Sequence, residues 1–232
     1  MEDRPEDRSG MRPARVAVLV SGSGTNLQAM LDRFGGDPGA PARIVCVVAS
    51  SARAGALDRA AAAGVATSVL ESGGDDGETL LEVLAEHRAD IIVLAGYLRM
   101  VPTEVVRRFR GRMINIHPAL LPAFGGQGMY GRKVHEAVLE AGVRVTGVTV
   151  HFVDEEYDRG PIIAQWPVPV MEDDDAAGLA ARVLRVEHRV LPAVVSALAR
   201  GIVGLGEDGR CHWSEPWFSA ERFTIDGERP GE

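Results

Sequence analysis

The chain has 232 residues, 46% of them hydrophobic, enough for one sizeable core without a second domain. A formal net charge of -8 argues against a general nucleic-acid or membrane-surface binder, because either needs a basic face; any anionic ligand must be held by backbone donors or a few arginines. Two distant cysteines, Cys46 and Cys211, indicate neither a disulfide framework nor a zinc site, and no apolar run reaches the roughly 18 residues of a membrane span.

Residues 1–14 alternate acids and arginines around Pro5 and Pro13 and are expected to form a disordered tail, with Met11 as an alternative start. The N-terminus lacks the basic-then-apolar order of a secretion signal, so a cytoplasmic protein is expected. From Arg15 onward, short solid apolar runs alternate with helical patterns. Strands are expected at Val16–Val20, Ile44–Ala49, 66–70, Ile91–Ala95 and Met113–Ile116, and helices at Leu27–Phe34, 54–63 and 78–87. Such runs, covered by helices on both faces, predict a Rossmann-like, mostly parallel sheet.

Beyond a helix at 132–141 the rhythm changes. Val145–Val153 and Pro161–Val170 are two extended stretches with no helix between them. They are expected to pair antiparallel at or near the sheet edge, where Pro161, Pro167 and Pro169 are tolerated. A long helix over 175–199 follows, with Asp173–Asp175 at its start, and then a short hairpin around Gly206–Gly209.

The most informative stretch is Asn115-Ile116-His117-Pro118-Ala119-Leu120-Leu121, closed by Pro122. Residues two apart on an extended segment share a side, so Asn115 and His117 can meet one reacting carbonyl. A protonated imidazole and an uncharged amide together suit a tetrahedral oxyanion. The bland alternative is a strand-end histidine satisfied by backbone groups beside a turn-shaping asparagine.

Three further segments complete the candidate set. Ser21-Gly22-Ser23-Gly24-Thr25-Asn26 follows the first strand and opens the first helix, where free amides can cradle a phosphate without a lysine. The third glycine of a dinucleotide fingerprint is missing, which favours a phosphomonoester over a nucleotide. Leu94–Met100 leaves a strand on the ligand-binding edge and offers apolar side chains to a flat ring, or is simply a strand-to-helix connection capped by Pro102. In Asp154-Glu155-Glu156-Tyr157-Asp158, any acid brought beside His117 is expected to raise its pKa, but the residues alone do not choose among them. His151 on a late strand and Glu187-His188 on the long helix remain open between site and packing or solvent roles.

The segments SGSGTNLQAM, LAGYLRM, NIHPALLP, TGVTVHFVDEEYDRGPIIAQ and VEHRVLP occur in that order over roughly residues 15–200. In this the chain resembles the folate-dependent phosphoribosylglycinamide formyltransferases. The resemblance implies a single formyltransferase-fold domain over residues 15–232, in which a Rossmann-like sheet is extended by antiparallel strands. It implies formyl transfer from 10-formyltetrahydrofolate, a co-substrate, to 5-phosphoribosylglycinamide in purine biosynthesis, without a metal. Asn115, His117 and Asp158 become the catalytic set. Gly24, Thr25, Asn26, Leu27 and Glu187 become the ribonucleotide site. Leu98, Arg99, Met100 and Val101, with Asn115 and the loop Asp154, Glu155, Glu156, Tyr157 and Asp158, become the folate site. The implied partners are small molecules, with no nucleic acid and no membrane; a homodimer is left open.

The chain departs from the common family pattern in the glycine-rich Gly125–Gly131 segment, in having no arginine between Arg59 and Arg88, and at Arg159 and Leu184. Related readings are a formyltetrahydrofolate deformylase, which usually has an extra N-terminal domain, and a methionyl-tRNA formyltransferase, which has an extra C-terminal one. A non-catalytic folate or phosphosugar binder would have no evident need for Asn115, His117 and Asp158 together.

Overall fold

A computed structural model describes residues 12–70 and 76–214. Its centre is a seven-stranded sheet in the order β3-β2-β1-β4-β5-β6-β7. The strands are β1 (Ala14–Val20), β2 (Ala42–Ala49), β3 (Ala66–Val69), β4 (Ile91–Leu94), β5 (Met113–His117), β6 (Val145–Phe152) and β7 (Ile162–Pro169). The first five are parallel, β6 is antiparallel to β5, and β7 is antiparallel to β6. The proline-rich β7 is therefore an edge strand, as expected for residues that cannot donate to a central ladder.

The solid apolar runs serve two cores at once. Along β1, Val16, Val18 and Val20 face one cluster and Ala17 and Leu19 the other, because successive side chains of a strand point to opposite faces. The first core is covered by α1 (Thr25–Phe34), α2 (Ala56–Ala62), α5 (Arg132–Glu140) and α6 (Ala176–Ala199). The second lies under α3 (Asp76–Glu86) and α4 (Thr103–Arg108). Asp175 caps α6 by accepting the Gly178 N–H at 2.7 Å, satisfying one orphan donor of the first turn. A separate hairpin of β8 (Val203–Leu205) and β9 (Cys211–Trp213) packs Val203, Leu205 and Trp213 against the first core.

Two expectations need adjusting. Residues 12–14 do not belong to a tail: Ala14 opens β1, and Arg12 holds Asp90 with two bonds of 2.9 and 3.0 Å. Residues 1–11 lie outside the described residues. Helix α4 is absent from the element order read from the pattern, because six residues with two adjacent buried valines, Val105 and Val106, are too short to show a helical period.

The parallel order reverses between β1 and β4, and this switch point is where open α/β sheets bind ligands. The loops there are tied together. Ser21 N–H donates to the Gly96 carbonyl at 3.0 Å, and Ser21 Oγ accepts from Leu98 N–H at 2.9 Å. Ser50 Oγ lies 2.7 Å from the same hydroxyl, joining the ends of β1, β2 and β4.

Candidate active site

The carboxyl ends of β1, β4 and β5 open into a cleft of about 910 Å³ that runs to α6. Asn115 and His117 sit on one face of β5, as their spacing requires, and both meet Asp158 from the β6–β7 connection. Asp158 Oδ2 lies 3.6 Å from His117 Nδ1 and accepts the Gly126 N–H at 2.9 Å, while Oδ1 accepts from Asn115 Nδ2 at 3.3 Å. The chain makes this carboxylate, not Asp154, Glu155 or Glu156, the partner of His117.

The hydrogen bonds fix the proton positions. His117 Nε2 is 2.8 Å from the Phe124 carbonyl, which can only accept, so Nε2 carries a hydrogen and Nδ1, facing Asp158, is the atom that titrates. His151 lies opposite Asn115 across the β5–β6 ladder, with Nδ1 2.8 Å from the Phe152 carbonyl. Its Nε2 lies 3.1 Å from Asn115 Nδ2 and 3.6 Å from Asp158 Oδ1, between the amide and the carboxylate. Turning the Asn115 amide around would set its oxygen against the Asp158 carboxylate, so the donor-inward orientation is the satisfied one. Phe124 and Asp158 both have φ of 55°, a left-handed conformation that is uncommon outside glycine.

The charge balance differs from expectation. Burial lowers the His117 pKa by more than Asp158 and the Phe124 carbonyl raise it, so the net direction is down. Burial alone would raise Asp158, but the His151 side chain, the Gly126 N–H and the nearby imidazole charges outweigh it and hold the carboxyl below its ordinary range. The site thus presents an ionised acid beside a buried imidazole.

At the α6 end, Glu187 is 7% exposed and accepts from Asn26 Nδ2 at 2.7 Å. Burial pushes its pKa up to about 7 against this hydrogen bond. The reading of Glu187 as solvent-facing is set aside by this burial. Gly24, Thr25 and Asn26 line the same end. Gly24 has φ of 75°, and a Cβ there would lie 2.6 Å from Ala56 Cβ, so glycine is required both by the turn and by the approach of α2. Leu27 is fully buried in the first core, so it can offer a ligand only backbone from the first turn of α1.

The residues expected around a flat ring divide between the cleft and a smaller cavity of about 80 Å³. Leu98 lines the cleft. Arg99, Met100, Val101, Asp154 and Glu156 line the smaller cavity, and Asn115, Tyr157 and Asp158 line both. Arg99 pairs with Asp76 and donates to the Leu70 carbonyl at 2.9 Å, anchoring this loop. Glu155 lines neither cavity; it is drawn to Arg107 at 2.7 Å on the surface.

Several site groups escaped the sequence reading. Phe124 and Gly126 act through backbone atoms, which carry no residue-type signature beyond the surrounding glycines. Leu184 and the Gly126–Gly131 stretch, marked in the sequence as departures from the family pattern, also line the cleft. His135 on α5 also lines it and is 4% exposed, with Nδ1 unpartnered among the described residues. Its place on an otherwise apolar helix face between Val134 and Val138 was the available signal.

A formyl transferase family model matches residues 14–195. The chain is 44% identical over 207 residues to the Bos taurus trifunctional purine biosynthetic protein adenosine-3, covering 87% of this chain but about a fifth, 20%, of that protein's length. It is 42% identical over 199 residues to the phosphoribosylglycinamide formyltransferase of Mycobacterium tuberculosis (strain CDC 1551 / Oshkosh), covering 84% of this chain and 89% of that one. The solved phosphoribosylglycinamide formyltransferase of Anaplasma phagocytophilum superposes with a TM-score of 0.81 at 37% identity, covering 88% and 95% of the two chains. With 182 consecutive residues inside the family model and a solved relative that superposes over most of both chains, the chain belongs to the formyl transferase family.

Proposed function

We propose that this protein transfers the formyl group of 10-formyltetrahydrofolate to the amine of 5-phosphoribosylglycinamide, yielding formylglycinamide ribonucleotide and tetrahydrofolate. The observation that carries this is a cleft with a smaller cavity beside it, joined through Asn115, Tyr157 and Asp158. Backbone amides and the Asn26–Glu187 pair lie at one end of the cleft, the Asn115, His117 and Asp158 cluster lies in the middle, and the smaller cavity adjoins the cluster.

The first-turn amides of α1 take the phosphate, since helix N-termini favour anions even in an acidic protein. Glu187 and Asn26 face the ribose. The folate ring enters between the 97–101 loop and the 154–158 loop, so that its formyl carbonyl reaches Asn115 and His117. The substrate amine attacks that carbonyl, and its electron pair moves onto the oxygen. Cationic His117 donates through Nδ1 and Asn115 through Nδ2, replacing the long 3.3 Å bond to Asp158. Collapse of the intermediate breaks the bond to the folate nitrogen, which takes up the proton given by the amine through water and the His117–Asp158 pair. Asp158 favours the Nδ1 proton electrostatically at the moment charge develops. The co-substrate is consumed, not resident. The reading carries a cytoplasmic location; no helix of the described residues is long and apolar enough to cross a membrane.

Purified protein given 10-formyltetrahydrofolate with and without 5-phosphoribosylglycinamide tests this directly. Folate release is expected only with the amine present. Release without it would make the protein a hydrolase, and no release in either arm would remove the catalytic reading.

A further inference from the structure

Behind the phosphate end of the cleft, α1 and α6 wall a second, open cavity of about 870 Å³ that the mechanism does not use. Its charge is opposite to that of the chain. Arg33 from α1, Arg59 from α2, Arg189 from α6 and Arg200 just beyond α6 line it, against the single acid Asp32. In a protein of net charge -8, this gathers four guanidinium groups from three helices onto one hollow. Arg59 is held in place by donating from Nε to the Ser23 carbonyl at 2.8 Å and from Nη1 to Gln28 Oε1 at 3.2 Å. Asp32 already accepts from Gln28 Nε2 at 2.8 Å, so part of its charge is spent inside the protein. Among the described residues, no carboxylate lies within 4 Å of Arg33, Arg59 or Arg200 to form an ion pair.

Ala29, Pro192, Ala193, Ala197 and Ile202 supply an apolar floor, with Thr25, Gln28, His188 and Ser196 as further polar groups in the lining. An arginine rim over an apolar floor matches a ligand with an anionic head and a flat, weakly polar body. Guanidinium groups also stack on aromatic rings, which adds to the same preference. The size lies within the range of small-molecule sites. We infer that this cavity is a second binding site, distinct from the catalytic cleft, for a phosphate ester carrying a flat ring, of the size of a nucleoside monophosphate.

The site adjoins the catalytic one through the same two helices. Thr25 lines both cavities, and His188 in the second is the sequence neighbour of Glu187 in the first. His188 is also the reporter. Burial and the nearby Arg59 charge hold its pKa down, with Asp32 opposing, so an arriving phosphate raises it.

The experiment titrates the intact protein with AMP, inorganic phosphate and adenosine while following the imidazole NMR signals. AMP is expected to shift His188 at lower concentration than phosphate, with adenosine weakest. The double variant R33Q/R200Q changes two exposed residues outside the catalytic cleft; it should weaken AMP binding at His188 by about tenfold or more and leave formyl transfer intact. AMP perturbing His117 and His135 but not His188 would assign the binding to the cleft and overturn the proposal. Equal binding of AMP by the wild type and R33Q/R200Q would do the same. Phosphate binding as tightly as AMP would refute the part assigned to the apolar floor.

Discussion

Replacing Glu187 by glutamine is expected to stabilise the protein at alkaline pH while weakening its hold on the ribonucleotide. Glu187 is buried and has one polar contact among the described residues, the bond from Asn26 Nδ2; Asn26 Oδ1, beside it, is buried without a partner. A pKa raised from 4.5 to about 7 means that the folded state holds the Glu187 proton more tightly than the unfolded chain. The associated stabilisation is complete below about pH 4.5, declines as pH rises, and is lost above about pH 7. At about 1.4 kcal/mol per pH unit, that interval corresponds to roughly 3 kcal/mol. Glutamine does not ionise; its oxygen can accept from Asn26 Nδ2, and its amide can donate to Asn26 Oδ1. Urea unfolding followed by far-UV circular dichroism between pH 4.5 and 8.5 measures both proteins, and their difference cancels the histidines that titrate in the same range. Wild type should lose roughly 3 kcal/mol relative to E187Q across this range. A difference that stays flat with pH would refute the reasoning, whatever happens to activity.

His117→Asn should lower turnover by about a hundredfold or more with folate binding largely retained, since the cationic donor acts as the oxyanion forms; wild-type turnover would remove His117 from that role. In Asp158→Asn the carboxylate charge that opposes burial is lost, so the His117 pKa, already low, should fall further; the imidazole titration reads this, and an unchanged value would break the proposed coupling. Gly24→Ala places a side chain at φ 75° and 2.6 Å from Ala56 Cβ, which should cost about 2 kcal/mol or more in thermal unfolding and raise KM for the ribonucleotide. An unaltered melting temperature and KM would show that the loop relaxes freely.

Much of the fold was legible because burial on both sheet faces writes itself as unbroken apolar runs, as in Val16–Val20 and Ile91–Leu94. Elements with no period to show, such as α4, were not legible. The shared face of Asn115 and His117 followed from strand geometry alone. The burial of Glu187 and Leu27 did not, because a helical residue's surroundings depend on which face of the helix is covered.

By itself, the sequence determined the order of strands and helices, the glycine loop ahead of α1 and the pairing of an amide with an imidazole on β5. These are properties of neighbouring residues, set by local periodicity and backbone geometry. Only the tertiary structure decided that Asp158, 41 positions from His117, is the acid that meets it, and that His151 holds the Asn115 amide from across the ladder. It also decided that burial outweighs Asp158 in setting the His117 pKa, and that four arginines far apart in the chain share one hollow. Distances between remote residues, and the loss of water that accompanies them, arise only when strands and helices pack, and the electrostatics of the site follow from both.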